Sequence, residues 1–253
     1  MQNNLEMNKI LEKKILEYIA TGRELFEKNN INRAFQMFDK ALQLNCNYAE
    51  AYLAKGEAHI QMFEIKEAEE CMKKYLKISS DTYRGYLNMI EIYYISGNFE
   101  KSLEFCNKVI KNKKNDYSIH YKKACILIDL NRLSEALESL DKCIELKADF
   151  YEAYCEKGEI LKTLCLHTEA LNCYSKAIEI DNKKSDAYVS KALVYMDLKD
   201  YEKAFPLAKK AFDLNSKDEW ARCYYFVIKD MLKNTKCKLD KGIVIPFKAE
   251  NLS

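Results

Sequence analysis

Nucleophilic catalysis needs a base within reach of a nucleophile, and metal chemistry needs clustered His, Cys or carboxylate ligands. The chain holds three histidines, His59, His120 and His167, and ten cysteines. The histidines are far apart, and none has a carboxylate at a telling offset. Cys165 and His167 are two residues apart, but they fall at an expected turn and lack a third partner. No C-x-x-C occurs and no metal-ligand spacing is present, so no structural metal is expected. No glycine-rich loop could cradle a phosphate. The basic run Lys111-Asn112-Lys113-Lys114-Asn115 is short and lacks interleaved aromatics, which fits a solvated turn rather than a phosphate track. The expectation is therefore no enzyme, no cofactor and no metal.

The pattern that must position any functional side chain is a repeat. Units start at Ile15, Ala49, Tyr83, Tyr117, Tyr151 and Ser185, each 34 residues long, without insertion or deletion. A partial seventh starts at Glu219. In the clearest unit, Tyr151–Lys184, residues Tyr154, Gly158, Leu161 and Leu164 recur at three- and four-residue steps and share a helical face. A polar break is expected around His167 and Thr168. Ala170, Tyr174, Ala177 and Ile178 then form a second helical face, and Asp181-Asn182 marks a turn. Each unit thus reads helix–turn–helix.

Small residues hold fixed positions: Gly22, Gly56, Ala124, Gly158 and Ala192 at repeat position 8, and Ala34, Ala68, Ser102, Ala136, Ala170 and Ala204 at position 20. Position 27 holds Ala41, Tyr75, Val109, Cys143, Ala177 and Ala211, and Tyr18, Tyr52, Tyr86, Tyr154 and Tyr188 recur at position 4, where the fourth unit has His120. Small side chains let paired helices approach, which close-packed interiors require. This period and pattern resemble the tetratricopeptide repeat (TPR) over residues 15–218. The resemblance implies an all-α, right-handed TPR α–α superhelix, a solenoid making less than one full turn. Its parts would be six helix–turn–helix repeats (15–48, 49–82, 83–116, 117–150, 151–184, 185–218), an N-terminal extension of the first helix (1–14), a capping helix (219–235), and a partly disordered or docked tail (236–253).

The chain departs from the family in three places. Position 32 has no proline, but Cys46, Ser80, Lys114, Ala148, Asn182 and Ser216, so helix ends must rest on polar turn residues. Tyr75 and the position-8 exception Ile90 are both bulky, which predicts a wider or rotated junction between the second and third repeats. Pro206 lies inside a helix and is expected to kink it. At the N-terminus, Leu5, Ile10, Leu11 and Ile15 extend the apolar face of the first helix backwards, which suits a longer first helix that caps the array, or a dimerisation helix. In the capping helix, Trp220, Tyr224, Val227, Ile228 and Met231 form an apolar face, with Trp220 expected in the core.

Forty-one basic residues against 39 acidic leave a formal charge of +2. Such a balance gives no global field for nucleic acid. Cys106, Cys143 and Cys173 occupy core positions, as small hydrophobes of a reducing compartment do. No apolar run could span a membrane, and MQNNLEMNKILEKK has no apolar signal core, so a cytoplasmic protein without membrane association is expected. One continuous elongated core is expected of stacked repeats.

The resemblance places the partner-binding groove on the concave face of the first helices. That assigns Glu50, Leu53 and Glu57 from the second repeat, Arg84, Leu87, Asn88, Glu91 and Tyr94 from the third, and Tyr121 and Lys122 from the fourth. The fifth gives Glu152, Glu156 and Glu159, and the sixth gives Asp186 and Val189. Acids outnumber bases there, so the expected partner is a protein or peptide with a basic segment, anchored by Leu53, Leu87, Tyr94, Tyr121 and Val189. The family's carboxylate clamp needs Lys and Asn at positions 5 and 9; Leu53/Glu57 and Leu87/Glu91 stand there, so an EEVD-type chaperone tail is not expected. The functional expectation is a non-catalytic scaffold or adaptor, monomeric or weakly dimeric. Its alternatives are a regulatory receptor for a small signalling peptide and a self-assembling structural element using the N-terminal helix or residues 242–247.

Overall fold

The computed structural model describes the backbone of residues 2–113 and 115–240, and the side chains of 6–113 and 115–235. The expectations placed on Lys114, on the side chain of Leu5 and on residues 241–253 lie outside the described residues. Within them are thirteen helices and no strand. They are α1 (Gln2–Glu27), α2 (Ile31–Leu44), α3 (Ala49–Gln61), α4 (Ile65–Ile78), α5 (Thr82–Ile95), α6 (Phe99–Asn112), α7 (Tyr117–Asp129), α8 (Leu133–Leu146), α9 (Tyr151–Thr163), α10 (His167–Ile180), α11 (Asp186–Asp197), α12 (Tyr201–Leu214) and α13 (Glu219–Asp240). The helix pairs follow the 34-residue units, so the fold is the expected all-α TPR solenoid. The chain divides into two compact units, Met1–Arg132 and Leu133–Ser253, rather than the single continuous core expected. The boundary falls between α7 and α8, inside the fourth repeat.

In the first unit, Ile15 and Ile19 of α1 pack with Ala34, Phe38 and Ala41 of α2 and Ala51, Ala54 and Ala58 of α3. A second cluster joins Leu53 of α3, Ala68, Met72 and Tyr75 of α4, and Met89, Ile92 and Tyr93 of α5. The expected apolar face of α1 is covered only from Ile15 onward, since Ile10 is 66% exposed and Leu11 is exposed too. In the second unit, Tyr174 of α10 is fully buried beside Leu161 of α9 and Val194 of α11. Ala192, Ala204, Ala208 and Ile228 join α11, α12 and α13.

Close approach within a repeat rests on volume matching. A Cβ built on Gly22 would lie 2.5 Å from Phe38 Cε1, one on Gly56 2.1 Å from Met72 Cε, and one on Gly158 2.7 Å from Tyr174 Cε1. Each glycine sits 16 residues before the side chain that fills its space. At the same register, Ile90 is followed by Cys106, both buried, so the exception at position 8 coincides with a small residue on the facing helix. Tyr75 finds room at Gly85, whose added Cβ would lie 2.8 Å from Tyr75 Cδ1. Between repeats, one lysine position reaches back to the preceding second helix: Lys55 to Asp39 (2.7 Å), Lys157 to Asp141, and Lys191 to Ser175 Oγ (2.8 Å).

The turn inside every repeat has one left-handed residue at the same place: Asn29, Phe63, Gly97, Asn131, Cys165 and Lys199, with φ between 55° and 72°. Two backbone bonds close each turn, as in Asn98 N–H to Tyr93 C=O (2.8 Å) and Gly97 N–H to Tyr94 C=O (3.0 Å). This is the Schellman geometry, which glycine and asparagine adopt readily and β-carbon-bearing residues such as Phe63 adopt at a cost. In the fifth repeat it places the break at Leu164, Cys165 and Leu166, and His167 and Thr168 already belong to α10. Helix ends between repeats stop at polar residues, Asn45, Ser79, Asp181 and Asn215 among them. Pro206 lies within α12 without interrupting it, on an exposed face where water can serve the carbonyl it leaves free.

Two stability outcomes follow from this packing. Gly158→Ala is expected to destabilise by about 1–3 kcal/mol, because the facing Tyr174 ring is rigid and enclosed. Gly56→Ala is expected near neutral, because the Met72 methyl can swing away and alanine adds up to about 1 kcal/mol of helix propensity. Urea denaturation of the two variants checks the contrast. Phe63 is 72% exposed at φ 59°, so Phe63→Gly is expected to stabilise by about 0.5–1 kcal/mol in the same assay.

Candidate functional site

The first helices of each unit form a layer: α1, α3 and α5 touch in the first unit, and α9, α11 and α13 in the second. On that layer in the first unit, four charges interlock. Arg23 Nη2 donates to Glu50 Oε1 at 3.0 Å and to Glu57 Oε2 at 3.2 Å. Arg84 Nη1 lies 3.3 and 3.1 Å from the two oxygens of Glu50, and its Nη2 lies 3.6 Å from Glu57 Oε1. Each carboxylate therefore sits between two guanidinium groups. Further along, Lys122 pairs with Glu91 at 3.5 Å, and Asn88 donates to the Arg84 carbonyl at 3.0 Å. Tyr94 donates to Asp129, and this bond, with burial, pushes the phenol up to about 12.

The expected acidic surplus is thus largely neutralised in the first unit. Sequence reading missed Arg23, although a signal was available: Arg23 and Glu57 are 34 residues apart, as are Glu50 and Arg84. One period is the spacing of side chains that face each other on neighbouring first helices. Leu53, expected as an exposed anchor, is fully buried in the cluster with Met72 and Met89, because its side chain points between α4 and α5. Leu87 and Tyr121 are half-buried, and Tyr94 is 40% exposed.

Beside the charge ring is a cleft of about 320 Å³ lined by Arg23, Phe26, Glu27, Phe38, Ala54, Glu57, Ala58 and Gln61. Its floor is apolar, from Phe26, Phe38, Ala54 and Ala58. Its rim is polar, from Glu27, Gln61 and the inner edge of the ring. In the second unit the acids are partly paired. Lys184 donates to Glu152 at 2.8 Å and holds that carboxyl below its usual range. Glu159 takes Lys162 at 2.7 Å and the Tyr174 hydroxyl at 3.0 Å. Asp186 is exposed and receives the Ser185 hydroxyl at 3.4 Å, and Val189 is half-buried. Glu156 is half-buried on α9. Tyr151 Oη accepts the Ala187 N–H at 3.1 Å, tying the fifth repeat to the sixth.

One histidine does meet a carboxylate: His59 Nδ1 lies 2.6 Å from Glu64 Oε2 across the turn between α3 and α4. The sequence reading saw no such offset. The pair bridges the two helices of its repeat. No group of three or more His, Cys, Asp or Glu side chains among the described residues could hold a metal ion. No helix among them is long and apolar enough to cross a membrane.

The repeat register decides the family. The sequence model of the tetratricopeptide repeat matches residues 49–82, 117–150, 151–184 and 185–218, in phase with the helix pairs. The chain belongs to the tetratricopeptide repeat family. The other two repeats, 15–48 and 83–116, share its register without being matched. Solved TPR structures resemble the chain in fold. YrrB, described as a TPR protein with an unusual peptide-binding site, is 22% identical (TM-score 0.59) over 73% of this chain and 95% of its own. PilF of Pseudomonas aeruginosa is 15% identical (TM-score 0.67) over 87% and 98%. Yeast Tom70 is 19% identical (TM-score 0.65) over 91% of this chain and 49% of its own. A comparison with curated protein sequences finds no match.

The charge ring is half-exposed, so it is expected to contribute modestly. Arg23→Gln/Arg84→Gln leaves Glu50 and Glu57 facing each other unscreened. The double variant is expected to lose about 1 kcal/mol of stability at low ionic strength, and less in molar salt, where charges a few ångströms apart are screened. Equal loss at both salt concentrations would show that the ring acts through packing alone.

Proposed function

We propose that this TPR protein is a non-catalytic scaffold or adaptor that holds a peptide segment of a partner protein on its first-helix layer. The general role, protein interaction, is that of the family. The finer reading rests on the cleft beside α1 and α3, where Phe26, Phe38, Ala54 and Ala58 lie under bordering charges that are already held in place. A preformed cleft of this kind takes one apolar side chain, and the fixed Arg23–Glu50–Arg84–Glu57 ring costs little to order when a peptide arrives. The rim carries Glu27, exposed and in no ion pair among those described, so the peptide chemistry that fits best is an apolar residue flanked by Lys or Arg. YrrB's description as a protein with a peptide-binding site supports the mode, at the level of a shared fold.

In this reading Glu50, Glu57 and Arg84 shape the groove, Tyr94, Leu87 and Tyr121 extend it, and charge selects the partner mainly through Glu27. In the second unit, the exposed Asp186 would receive a basic residue of a separate segment. The test is selection of peptides from a random library on the purified protein. The enriched peptides are expected to carry an apolar residue next to a basic one, and to lose about tenfold or more in affinity for Glu27→Lys/Gln61→Lys, with unchanged circular dichroism. Enrichment of acidic peptides, or equal affinity for the variant, would remove the cleft from the binding site.

A further inference from the structure

We propose that the first-helix layer of the second unit, where α11 and α13 touch, docks an amphipathic helix of a partner protein, apolar along one face and basic at its borders. This goes beyond the cleft beside α1 and α3 and does not depend on it. On one side α13 buries Ala221 and Ile228 against the cluster containing Ala204 and Ala208. On another, the chain's sole tryptophan, Trp220, is 69% exposed, contrary to its expected place in the core. Val227 and Met231 are exposed with it. Trp220, Tyr224, Val227 and Met231 fall at i, i+4, i+7 and i+11, a stripe along one helical side. Tyr224 stacks on Trp220 with ring centroids 6.1 Å apart.

The repeat register places this stripe on the first-helix layer. Residues one period apart face each other there, as Arg23 and Glu57 do, and Glu50 and Arg84. Trp220, Val227 and Met231 lie one period after Asp186, Leu193 and Asp197 of α11. Leu193 and Met196 are half-buried, and Met196 and Tyr224 pack on the cluster that joins the two helices. The two helices therefore present one apolar strip, with Leu193 and Met196 beside Trp220, Val227 and Met231. Exposed apolar surface grouped in this way marks an interaction site.

The chemistry of the strip says what fits it. Its apolar side chains offer a peptide backbone no hydrogen-bond partner. A segment that covers them must satisfy its own backbone, as a helix does. Charge selects further. In the first unit, Glu50 and Glu57 face Arg84 and Arg23 and are neutralised. In the second, the residues facing Asp186 and Leu193 are Trp220 and Val227. Asp186 and Asp197, on either side of Leu193, are exposed, and so is Asp230, one turn after Val227. None of the three belongs to an ion pair among the described residues, whereas Lys162 and Lys184 are held by Glu159 and Glu152. Carboxylates around an apolar strip favour Lys or Arg at the borders of the partner helix. They also disfavour the anionic surface of a membrane. Asp186 and Asp197 stand about 16 Å apart along α11, so basic residues about three turns apart on the partner reach both.

Trp220 emission reports binding directly. The probe is a synthetic amphipathic helix of Leu, Ala and Lys, about five turns long, with its lysines bordering the leucine face. Emission is expected to shift to the blue and saturate. A peptide of the same composition in scrambled order, and one with Glu in place of Lys, are expected to bind about tenfold more weakly or worse. Val227→Asp and, separately, Met231→Asp are expected to raise the dissociation constant about tenfold or more, and Asp186→Lys/Asp197→Lys about tenfold. Glu27→Lys/Gln61→Lys, in the first-unit cleft, is expected to leave it unchanged, which separates failure of this surface from failure of that cleft. All these positions are exposed, and circular dichroism checks that the fold is kept. Five results would overturn the proposal. One is equal binding of the three peptides, and another is tighter binding of the acidic one. A third is indifference to both Val227→Asp and Met231→Asp. A fourth is a free protein whose Trp220 is already shielded, by self-association seen as a rising mass or by residues 241–253, whose deletion would then shift emission to the red. The last is a larger shift on phosphatidylserine vesicles than on the basic peptide.

Discussion

How near the two helices of a repeat can come to each other sets the rest of the structure. In three repeats that distance is fixed by a glycine on the first helix with a large side chain lodged over it: Phe38 over Gly22, Met72 over Gly56, Tyr174 over Gly158. The sum of the two volumes matters, not the glycine itself. Ile90 followed by Cys106, and Ala192 packed with Ala208, spread the same space differently. A repeat family can therefore tolerate an exception at its most characteristic position when the facing residue changes with it. The constraint also reaches the surface. With the pair distance fixed, first helices of neighbouring repeats stand in register, and residues one period apart face each other.

That register controls the electrostatics of the first-helix layer. A side chain 34 residues on is a neighbour in space, so a charge alternating between repeats is paired by construction. Arg23 with Glu57, and Glu50 with Arg84, are such pairs, and their cross-links make a ring. Counting acids on the face predicted a field for basic partners. Reading the same residues at a lag of one period would have shown the field cancelling in the first unit. What survives there is shape, a cleft with an apolar floor and immobilised polar edges, with Glu27 at its rim.

The helix pairs and their boundaries were legible because the repeat supplies six copies of each signal, and errors in one copy are corrected by the others. The left-handed turn residue was hidden because the position shows no consistent residue type: Asn, Phe, Gly, Asn, Cys and Lys all serve. Backbone geometry is conserved across the repeats there while side-chain preference is not, since two Schellman bonds hold the turn whatever the residue. Leu53 was misplaced for a related reason. Its repeat position lies at the edge between groove and interior, and a side chain at that edge turns inward when the next repeat offers Met89 and Ile92 to pack on. Position in a repeat fixes a direction on the helix, whereas burial depends on what the neighbour brings.

The misplacement of Trp220 follows the same logic at the end of the array, and it carries further. Inside a solenoid, both sides of a first helix are covered, one by its own second helix and one by the repeat before. At α13 only the preceding repeat is described as packing, against Ala221 and Ile228. A helix meant only to close the array would show water a polar outer face, as capping elements do. This one shows water a tryptophan, a phenylalanine, a valine and a methionine. Exposed apolar surface on this scale is a standing liability for aggregation unless something covers it. The first-helix cleft and the α13 face are then different kinds of surface: one a recess bordered by paired charges, the other an exposed apolar stripe.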